Sequence, residues 1–463
     1  MNSIVFRRVW LALCLSLVTH SQASPAPLLS PNGEPGDRFG HAVATWDDLA
    51  VVGAPGHDDL GEDSGAAYVY RRDCADWVFV QELLANGGAA GDRFGSAVAM
   101  QGGLIVVGAE GRQSGRGAAY VYFLSGQTWL PAQTLLPDES TTGHFGEALA
   151  TNGSIIAVGA PDDDEAATDA GAVYVFRESK GWFLEEKILA DDGEAFDFFG
   201  NSVALSDDRL AVGSPFAFGD DSFAGAVYVF DFVGGAPVFD QKIIALDGND
   251  GDGLGWSTAI RANTIIAGAP FDDAPPATDA GSVYEFENLA TVWTQADKLE
   301  APLPESVDRF GRAVTFNDDF LLVGAPLDED SQTLPGVAHV FTRAALGWQF
   351  GRSITPNKGT TRDKFGWSVA VSGAKAIIGA PLDEDAGSGA GAVYTDYLGD
   401  VSPTDFDGDG DTDLTDFALI RNCITGPVAG DLEAVCLPAD VDADGDVDLA
   451  DFARLQIGVA CAD

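Results

Sequence analysis

The chain has 463 residues, of which 46% are hydrophobic, so it is long and apolar enough to bury a sizeable core. It carries 72 acidic residues against 25 Lys and Arg, a formal net charge of −47. This charge would repel a phosphate backbone, which argues against nucleic acid as a partner and is compatible with divalent-cation binding or with solubility alone.

The first predicted segment is a signal peptide over residues 1–23. Two arginines precede an apolar run from Val9 to Val18, and Ser21-Gln22-Ala23 offers small residues for cleavage. The run is shorter than the roughly 20 residues of a membrane-spanning helix, and no later segment qualifies. A lipid anchor on Cys14 is the alternative, although the bulky Leu13 disfavours it. We therefore expect a secreted, extracellular or cell-surface protein with no transmembrane segment.

Residues 24–398 consist of seven internal repeats. Each repeat begins with an opening residue, Phe in six repeats and Leu in one. Gly-Ala-Pro or a near variant begins fourteen residues after it, and a third motif follows, typified by Gly65-Ala-Ala-Tyr-Val-Tyr70. Three motifs in register seven times indicate a repeat architecture. Each opening residue is followed by glycine, and the seven are Phe39, Phe94, Phe145, Phe199, Leu254, Phe310 and Phe365.

Each repeat predicts four short strands, a to d. Strand a is typified by residues 40–45, and a tight turn such as Asn152-Gly153 leads into strand b. Strand c is the alternating Ala-Tyr-Val-Tyr run, and strand d resembles residues 77–84. The pattern predicts an all-β fold, a seven-bladed β-propeller with four-stranded antiparallel blades and with the recurrent Phe, Tyr and Val side chains packed between blades.

The last repeat lacks a strand d of its own. It supplies strands a, b and c and then enters a linker at residues 399–404. Leu28-Leu29 stand 11 and 10 residues before Phe39, the same offsets that Leu83-Leu84 have before Phe94. Residues 25–30 are therefore predicted to be the outer strand of blade 7 and to join the two ends of the propeller.

These motifs resemble the FG-GAP repeats of the integrin α-subunit head and of related bacterial proteins, over residues 25 to about 398. The resemblance implies a propeller used in adhesion or ligand binding, not in catalysis. Integrin-type repeats often carry an Asp-x-Asp-x-Asp-Gly calcium loop between Phe-Gly and Gly-Ala-Pro. Here that interval holds only a tight turn, so no calcium site of that kind is expected in the propeller.

Acidic residues collect in the loops between strands b and c. Strand alternation places these loops on the same face as the d–a loops, and propellers bind ligands on a loop-bearing face. Two interpretations are open: the acids cap backbone amides in turns, or they bind cations weakly or recognise a cationic partner. The acidic runs are Asp58-Asp59, Asp162–Asp164, Asp220-Asp221, Asp272-Asp273, Asp328–Asp330 and Asp383–Asp385.

The residue directly after each opening pair is diverse and is predicted to lie at the mouth of strand a. Polar and aromatic side chains that converge around a tunnel mouth would form a pocket, and ordinary variability at the rim is the other interpretation. The seven residues are His41, Ser96, Glu147, Asn201, Trp256, Arg312 and Trp367.

Residues 405–463 predict a small α-helical domain with two calcium loops. An EF-hand loop binds calcium through oxygens at positions 1, 3, 5, 7, 9 and 12 and has Gly at position 6. Residues 405–416 and 440–451 both fit this pattern, with position 7 acting through its backbone carbonyl, and an apolar helix pattern follows each loop. We expect two Ca²⁺ ions, with ligands from Asp405, Asp407, Asp409, Asp411, Asp413, Asp416, Asp440, Asp442, Asp444, Asp446, Asp448 and Asp451.

This doubled loop–helix unit resembles a type I dockerin, a module that docks enzymes onto scaffold proteins. The resemblance implies a cohesin-like scaffold partner. Thr412 replaces the usual aliphatic residue at position 8, and Leu414-Thr415 and Leu449-Ala450 differ from the Ser-Thr type of pair that often contacts the scaffold. Calcium binding therefore carries over better than the choice of partner.

Four cysteines follow the predicted signal peptide. Cys423 and Cys436 flank the segment between the two calcium loops and are predicted to form a disulfide, which export permits. Cys74 and Cys461 either form a bond that tethers the calcium domain to the propeller, stay free, or pair between molecules.

The leading functional interpretation is a secreted calcium-binding adhesion or recognition protein. Its propeller would bind a protein or glycan ligand on the loop face. The alternatives are a secreted carbohydrate-active enzyme, a glycoside hydrolase or lyase attached through its dockerin-like unit, and a structural cell-surface component. A glycosidase needs two opposed carboxylates, which acid-rich loops can supply. No catalytic constellation stands out, so we predict a non-catalytic protein.

Overall fold

The computed structural model describes residues 27–73, 76–138, 142–219, 222–289, 291–328, 336–345, 347–356 and 362–399. The predicted signal peptide, Cys74 and the segment from residue 400 onward lie outside the described residues. That segment contains all twelve predicted calcium ligands and the three other cysteines of the predicted mature chain.

Within the described residues the strands form seven four-stranded antiparallel sheets, which confirms the seven-bladed propeller. In blades 1 to 6 the strands pair in chain order, a to d. Blade 1 has β2 (Ala42–Trp46), β3 (Leu49–Ala54), β4 (Ala66–Asp73) and β5 (Asp76–Leu83). Blade 2 has β6 (Phe94–Gln101), β7 (Leu104–Ala109), β8 (Ala119–Ser125) and β9 (Thr128–Leu135). Blade 3 has β10 (Ala148–Thr151), β11 (Ile155–Ala160), β12 (Ala172–Glu178) and β13 (Trp182–Ile188).

Blades 4 to 7 repeat the arrangement. Blade 4 has β14 (Ser202–Leu205), β15 (Arg209–Ser214), β16 (Ala226–Val233) and β17 (Ala236–Ile243). Blade 5 has β18 (Ser257–Arg261), β19 (Thr264–Ala269), β20 (Ser282–Leu289) and β21 (Val292–Glu300). Blade 6 has β22 (Ala313–Phe316), β23 (Phe320–Ala325), β24 (Val337–Ala344) and β25 (Gly347–Ile354). Blade 7 has β26 (Ser368–Ser372), β27 (Lys375–Ala380), β28 (Ala392–Tyr397) and the N-terminal β1 (Pro27–Leu28).

A four-residue turn, α1 (Arg112–Gly115), lies in the b–c loop of blade 2, and its residues Gln113 and Ser114 have positive φ. No helix within the described ranges is long and apolar enough to cross a membrane.

The propeller closes by pairing its two chain ends, as predicted. Strand β1 pairs antiparallel with β28, with Pro27 opposite Tyr394 and Leu28 opposite Val393. Leu28 packs with Val393 in the hydrophobic cluster that joins blade 7 to blade 1. A second link comes from Phe39, which forms a bridge with Gly391. The N-terminal strand therefore completes the last blade.

The core lies between neighbouring blades. Phe39 is fully buried and meets the rings of Tyr68 and Tyr70 edge-on, with centroids 5.6 and 6.0 Å apart. It also shares a cluster with Ile377 and Val393 of blade 7. Burial of one such ring contributes about 1.5–3 kcal/mol, and the arrangement recurs at every blade junction through the opening Phe or Leu.

The glycines of Phe-Gly and Gly-Ala-Pro have a steric cause. A Cβ on Gly53 would lie 2.0 Å from the carbonyl oxygen of Gly95 in the next blade, a distance that atoms do not tolerate. The same contact joins Gly379 of blade 7 to Gly40 of blade 1, again at 2.0 Å. The two glycines let the backbones of adjacent blades touch near the axis.

The d–a and b–c loops lie on one face of the propeller, as the strand alternation predicted. Gly91 and Arg93 of a d–a loop donate backbone hydrogen bonds to Glu62 and Asp63 of a b–c loop, at 2.8 and 3.0 Å. In the d–a loops that lead into blades 1, 2, 4, 5 and 6, a buried aspartate two residues before the opening residue accepts a backbone amide of the loop; Asp37, for example, accepts the amide of Glu34 at 2.9 Å. The others with this bond are Asp92, Asp197, Asp252 and Asp308.

Candidate functional site

Seven short turns surround the axial opening on the loop face. Each turn contains the residue before an opening pair, the pair itself and the residue after it. The backbone amide of the fourth residue donates to the carbonyl of the first at 3.0 or 3.1 Å, as from His41 to Arg38. We call these turns together the axial mouth; they are residues 38–41, 93–96, 144–147, 198–201, 253–256, 309–312 and 364–367.

The axial mouth lies at the centre because each turn leads directly into strand a. The seven strands of type a contact one another in a closed ring, with β26 against β2. The turn repeats because its glycine takes a positive φ, as at Gly40 with φ 89°, and its first residue does too. The first and fourth residues of every turn therefore lie around the same opening.

Five of the fourth residues form a continuous chain of contacts. The guanidinium of Arg312 lies between two indole rings, with its Cζ 4.2 Å from the ring centroid of Trp367 and 5.4 Å from that of Trp256. The ring of Trp367 lies 5.8 Å from that of His41, and Asn201 donates to the carbonyl of Trp256 at 2.9 Å. Five of the seven side chains thus converge, which agrees with the first of the two interpretations left open by the sequence.

Glu147 and Ser96 are the two fourth residues that lie outside this chain of contacts. Glu147 lies in a cavity of about 350 Å³ lined also by Glu110, His144, Asp162 and Trp256. Ser96 is buried.

The first residues of the turns form a second ring, which was not predicted from the sequence. Five of its seven members are basic or imidazole side chains: Arg38, Arg93, His144, Arg309 and Lys364. With Arg312, the axial mouth holds five of the 25 Lys and Arg of this acidic chain. The sequence did contain a signal for this ring, because each of its five basic or imidazole residues directly precedes an opening Phe.

The basic residues of the axial mouth divide into paired and unpaired groups. Arg93 lies 3.3 Å from Glu110, and Arg309 lies 3.2 Å from Asp279. Arg38, Arg312 and Lys364, on blades 1, 6 and 7, have no carboxylate partner among the described residues. One side of the opening is therefore cationic, and the side at blade 3 carries acids.

The ionisable side chains on the two sides of the opening have their pKa values shifted in different ways. Burial, then the positive charges of Arg312 and other mouth residues, lowers the pKa of His41 to about 4, so its imidazole is neutral. Burial lowers the pKa of Arg312 to about 10, which leaves the guanidinium charged at neutral pH. Burial and the carboxylates of Glu110 and Asp162 raise the pKa of Glu147 to about 7. Glu147 is partly open to water, yet it stands among acids that disfavour its charge.

The acidic runs of the b–c loops largely serve the fold. Asp58 accepts the backbone amide of Asp63 at 2.8 Å, and Asp164 accepts that of Asp169 at 2.9 Å. The buried Asp383 accepts the hydroxyl of Tyr394 at 2.7 Å. These contacts support the capping interpretation at the acids that make them; Asp220-Asp221 and Glu329-Asp330 lie outside the described residues.

The predicted absence of an integrin-type calcium loop agrees with the a–b hairpins. Their turns contain two or three residues in every blade, such as residues 47–48 between β2 and β3. Six carboxylate and carbonyl ligands cannot come from so short a turn.

Seven segments of the chain match the profile of the FG-GAP repeat: residues 25–70, 77–122, 129–176, 182–230, 238–286, 293–341 and 348–395. Each begins at a strand d and continues through strands a, b and c of the next blade, which is the same offset that lets β1 close blade 7. Together they cover most of the chain. The chain belongs to the FG-GAP repeat family.

A separate segment, residues 403–457, matches the dockerin type I domain. Domains of this type bind calcium, and they imply a cohesin-type partner. This FG-GAP repeat protein therefore carries a calcium-binding docking domain after its propeller.

Among curated proteins the chain is similar to parts of integrin α subunits. It is 30% identical to integrin alpha-3 of Mus musculus over 132 residues, which are 26% of this chain and 12% of that protein. It is 34% identical to integrin alpha-6 of Gallus gallus over 131 residues, which are 25% of this chain and 12% of that protein. The match thus spans about an eighth of the relatives' length.

Proposed function

We propose that this chain is a secreted, calcium-binding adhesion or recognition protein. Its propeller binds a protein or glycan ligand at the axial mouth through an anionic group of that ligand, and its dockerin domain attaches it to a cohesin-type partner. One observation carries the proposal: in a chain of net charge −47, Arg38, Arg312 and Lys364 gather at one opening without carboxylate partners among the described residues.

Arg312 is suited to hold a carboxylate. A guanidinium has five N–H donors and pairs with carboxylates through two parallel hydrogen bonds. The faces of Trp256 and Trp367 fix the plane of the guanidinium but accept none of these hydrogen bonds, so its donors remain for a ligand. Partial burial strengthens such a charge-assisted bond relative to one in open water.

The C-terminal part of the proposal rests on the sequence and on the dockerin match. The twelve aspartates of residues 405–416 and 440–451 would hold two Ca²⁺ ions, one per loop. The apolar run at residues 9–18 supports export of the chain. Calcium would then control docking, and the axial mouth would act independently of it.

A glycan array with the full chain in calcium tests the propeller. We expect binding to glycans that bear uronic acids in preference to neutral ones, and a loss of at least about tenfold in affinity in Arg312→Gln, since a charge-assisted hydrogen bond contributes about 1.5–3 kcal/mol. Arg261→Gln is the matched control, because Arg261 pairs with Asp318 at the a–b turn, away from the loop face. Equal binding by wild type and Arg312→Gln would refute the axial mouth as the binding site.

A second candidate function is glycan cleavage. A carboxyl group that keeps its proton near neutral pH can act as a general acid, and Glu147 has a pKa of about 7 in a cavity with two other carboxylates. Product analysis of any glycan bound on the array separates the candidates. Shortened products that disappear with Glu147→Gln support an enzyme, and intact glycans support recognition alone.

A further inference from the structure

In blades 3, 4 and 5 a lysine ammonium fills the acidic space between the b–c loop and strand d. Lys187, Lys242 and Lys298 each lie opposite the first tyrosine of strand c. Lys187 Nζ is 2.9 Å from Asp163 Oδ2 and 5.1 Å from the ring centroid of Tyr174. Lys298 Nζ is 2.7 Å from Asp272 Oδ2. In these three blades the lysine ammonium of strand d therefore supplies the positive charge beside the acids.

Blade 1 has the opposite residues at the same two positions. Glu82 lies opposite Tyr68, where the other blades have lysine. His57 is the fifth residue counted from Gly53 of Gly-Ala-Pro, the position that Asp163 and Asp272 occupy in their repeats. Asp59 of the same loop adds a carboxylate, and the described residues around this cluster supply no ammonium. The space that holds a lysine elsewhere thus faces an imidazole and two acids.

The three side chains have the spacing of metal ligands. His57 is only 3% exposed, and its Nε2 is buried without a hydrogen-bond partner among the described residues. This Nε2 lies 3.4 Å from Asp59 Oδ2 and 3.4 Å from Glu82 Oε1, and the three ligand atoms lie within 4.8 Å of one another. Ligands about 2.0–2.2 Å from a zinc ion lie about 3.3–3.6 Å apart at the corners of a tetrahedron.

The surroundings orient these ligands. The other ring nitrogen of His57, Nδ1, is 3.1 Å from Oδ2 of the buried Asp37, which also accepts the amide of Glu34. A carboxylate can only accept, so Nδ1 carries a proton, and Nε2 is the ring nitrogen that faces Asp59 and Glu82. Metal-bound histidines commonly have such a carboxylate behind them. Asn32 donates to Glu82 Oε1 at 3.2 Å and holds that side chain as well.

We propose that His57, Asp59 and Glu82 bind one divalent transition-metal ion, for which zinc is the best match. One imidazole nitrogen and two carboxylate oxygens suit zinc better than calcium, which prefers six to eight oxygens. Asp59 is half exposed, so the fourth corner of the tetrahedron faces water. The site goes beyond the proposed function, because it uses neither the side chains of the axial mouth nor the aspartates of the dockerin domain.

The competing occupant is a proton on Nε2, which would make His57 an imidazolium paired with the two acids. Cobalt(II) distinguishes the two, because it absorbs visible light strongly when bound in a tetrahedron. The test adds Co²⁺ and then Zn²⁺ to the full chain in saturating calcium, so that the dockerin loops are already occupied. We expect a visible absorption band that Zn²⁺ removes, with one metal ion per chain.

Three variants decide the assignment. Glu82→Lys places an ammonium where blades 3 to 5 have one and should abolish the band. The double change His57→Asp with Glu82→Lys copies the residues of blades 3 and 5, so the blade should fold and again bind no cobalt. Glu186→Lys makes the same charge change at an exposed site of β13 and should leave the band unchanged. No band in the wild type, or a band that persists in Glu82→Lys, would overturn the proposal.

Discussion

The surroundings of the Arg312 side chain are built by three neighbouring blades. It comes from blade 6 and lies between Trp256 of blade 5 and Trp367 of blade 7, and Trp367 in turn contacts His41 of blade 1. The sequence predicted that these residues lie at one opening, because each occupies the same place in its repeat. It did not predict which of them touch, because that depends on side-chain rotamers of residues about 55 positions apart in the chain.

The raised pKa of Glu147 leads to a prediction about pH. The folded chain holds this proton more tightly than the unfolded chain, in which the pKa of Glu is about 4.3, so ionisation between about pH 4 and pH 7 destabilises the folded state. We expect Glu147→Gln to raise the melting temperature at pH 8 and to change it little at pH 4. The effect should be modest, because the side chain is partly open to water.

Thermal unfolding at the two pH values measures this effect. Glu186→Gln, on the exposed side of β13, serves as the control and should change neither value. A melting temperature that falls at pH 8 in Glu147→Gln would show that the carboxylate is stabilised by the cations across the opening instead.

The contact between motif glycines leads to a second prediction at this scale. In Gly379→Ala the new methyl group would meet the carbonyl oxygen of Gly40, so the two blades must separate, and overpacking of this kind costs about 1–3 kcal/mol. Gly103→Ala is the control, since its nearest neighbour there would be Leu124 Cβ at 3.5 Å. Denaturant unfolding compares the two. An equal loss in both would mean that flexibility, and not the close approach, explains the motif.

At the scale of elements, the strands could be predicted because their signals are local and repeated. The two-residue turn at residues 47–48, the small side chains of β2 and the alternation in β4 are all legible in one repeat. The cluster of His57, Asp59 and Glu82 could not be read in this way. It depends on how a b–c loop folds back over strand d of its own blade, which no spacing in the sequence states.

Closure of blade 7 by β1 leads to a prediction about truncation. Removal of residues 25–30 would take away the pairing with β28 and expose the apolar edge at Val393, so the melting temperature of the propeller should fall by several degrees. Replacing Leu28-Leu29 by Asn-Asn should give part of the same loss. Leu303→Asn, at an exposed leucine, is the control. An unchanged melting temperature after truncation would show that the bridge between Phe39 and Gly391 closes the ring unaided.

At the scale of the whole molecule, calcium should decide whether the dockerin domain folds. Six aspartates in each loop repel one another until a cation neutralises them. We expect a peptide of residues 399–463 to gain helical circular dichroism when calcium is added and to lose it in chelator. Magnesium is the control, because it prefers fewer protein ligands and keeps its water. Full helicity in chelator would contradict the prediction. The disulfide between Cys423 and Cys436 remains a prediction for the same region.

The pairing of β1 with β28 also has a mechanical meaning. The chain leaves the propeller directly after β28, at Tyr397, on its way to the dockerin segment. If the dockerin is held by a partner while the axial mouth is held by a ligand, tension enters the propeller through β28. That strand is hydrogen-bonded on both sides, by β27 and by β1, so the pull is resisted by two strand pairings rather than one. The N-terminal strand thus strengthens the strand through which the dockerin segment is attached to the propeller.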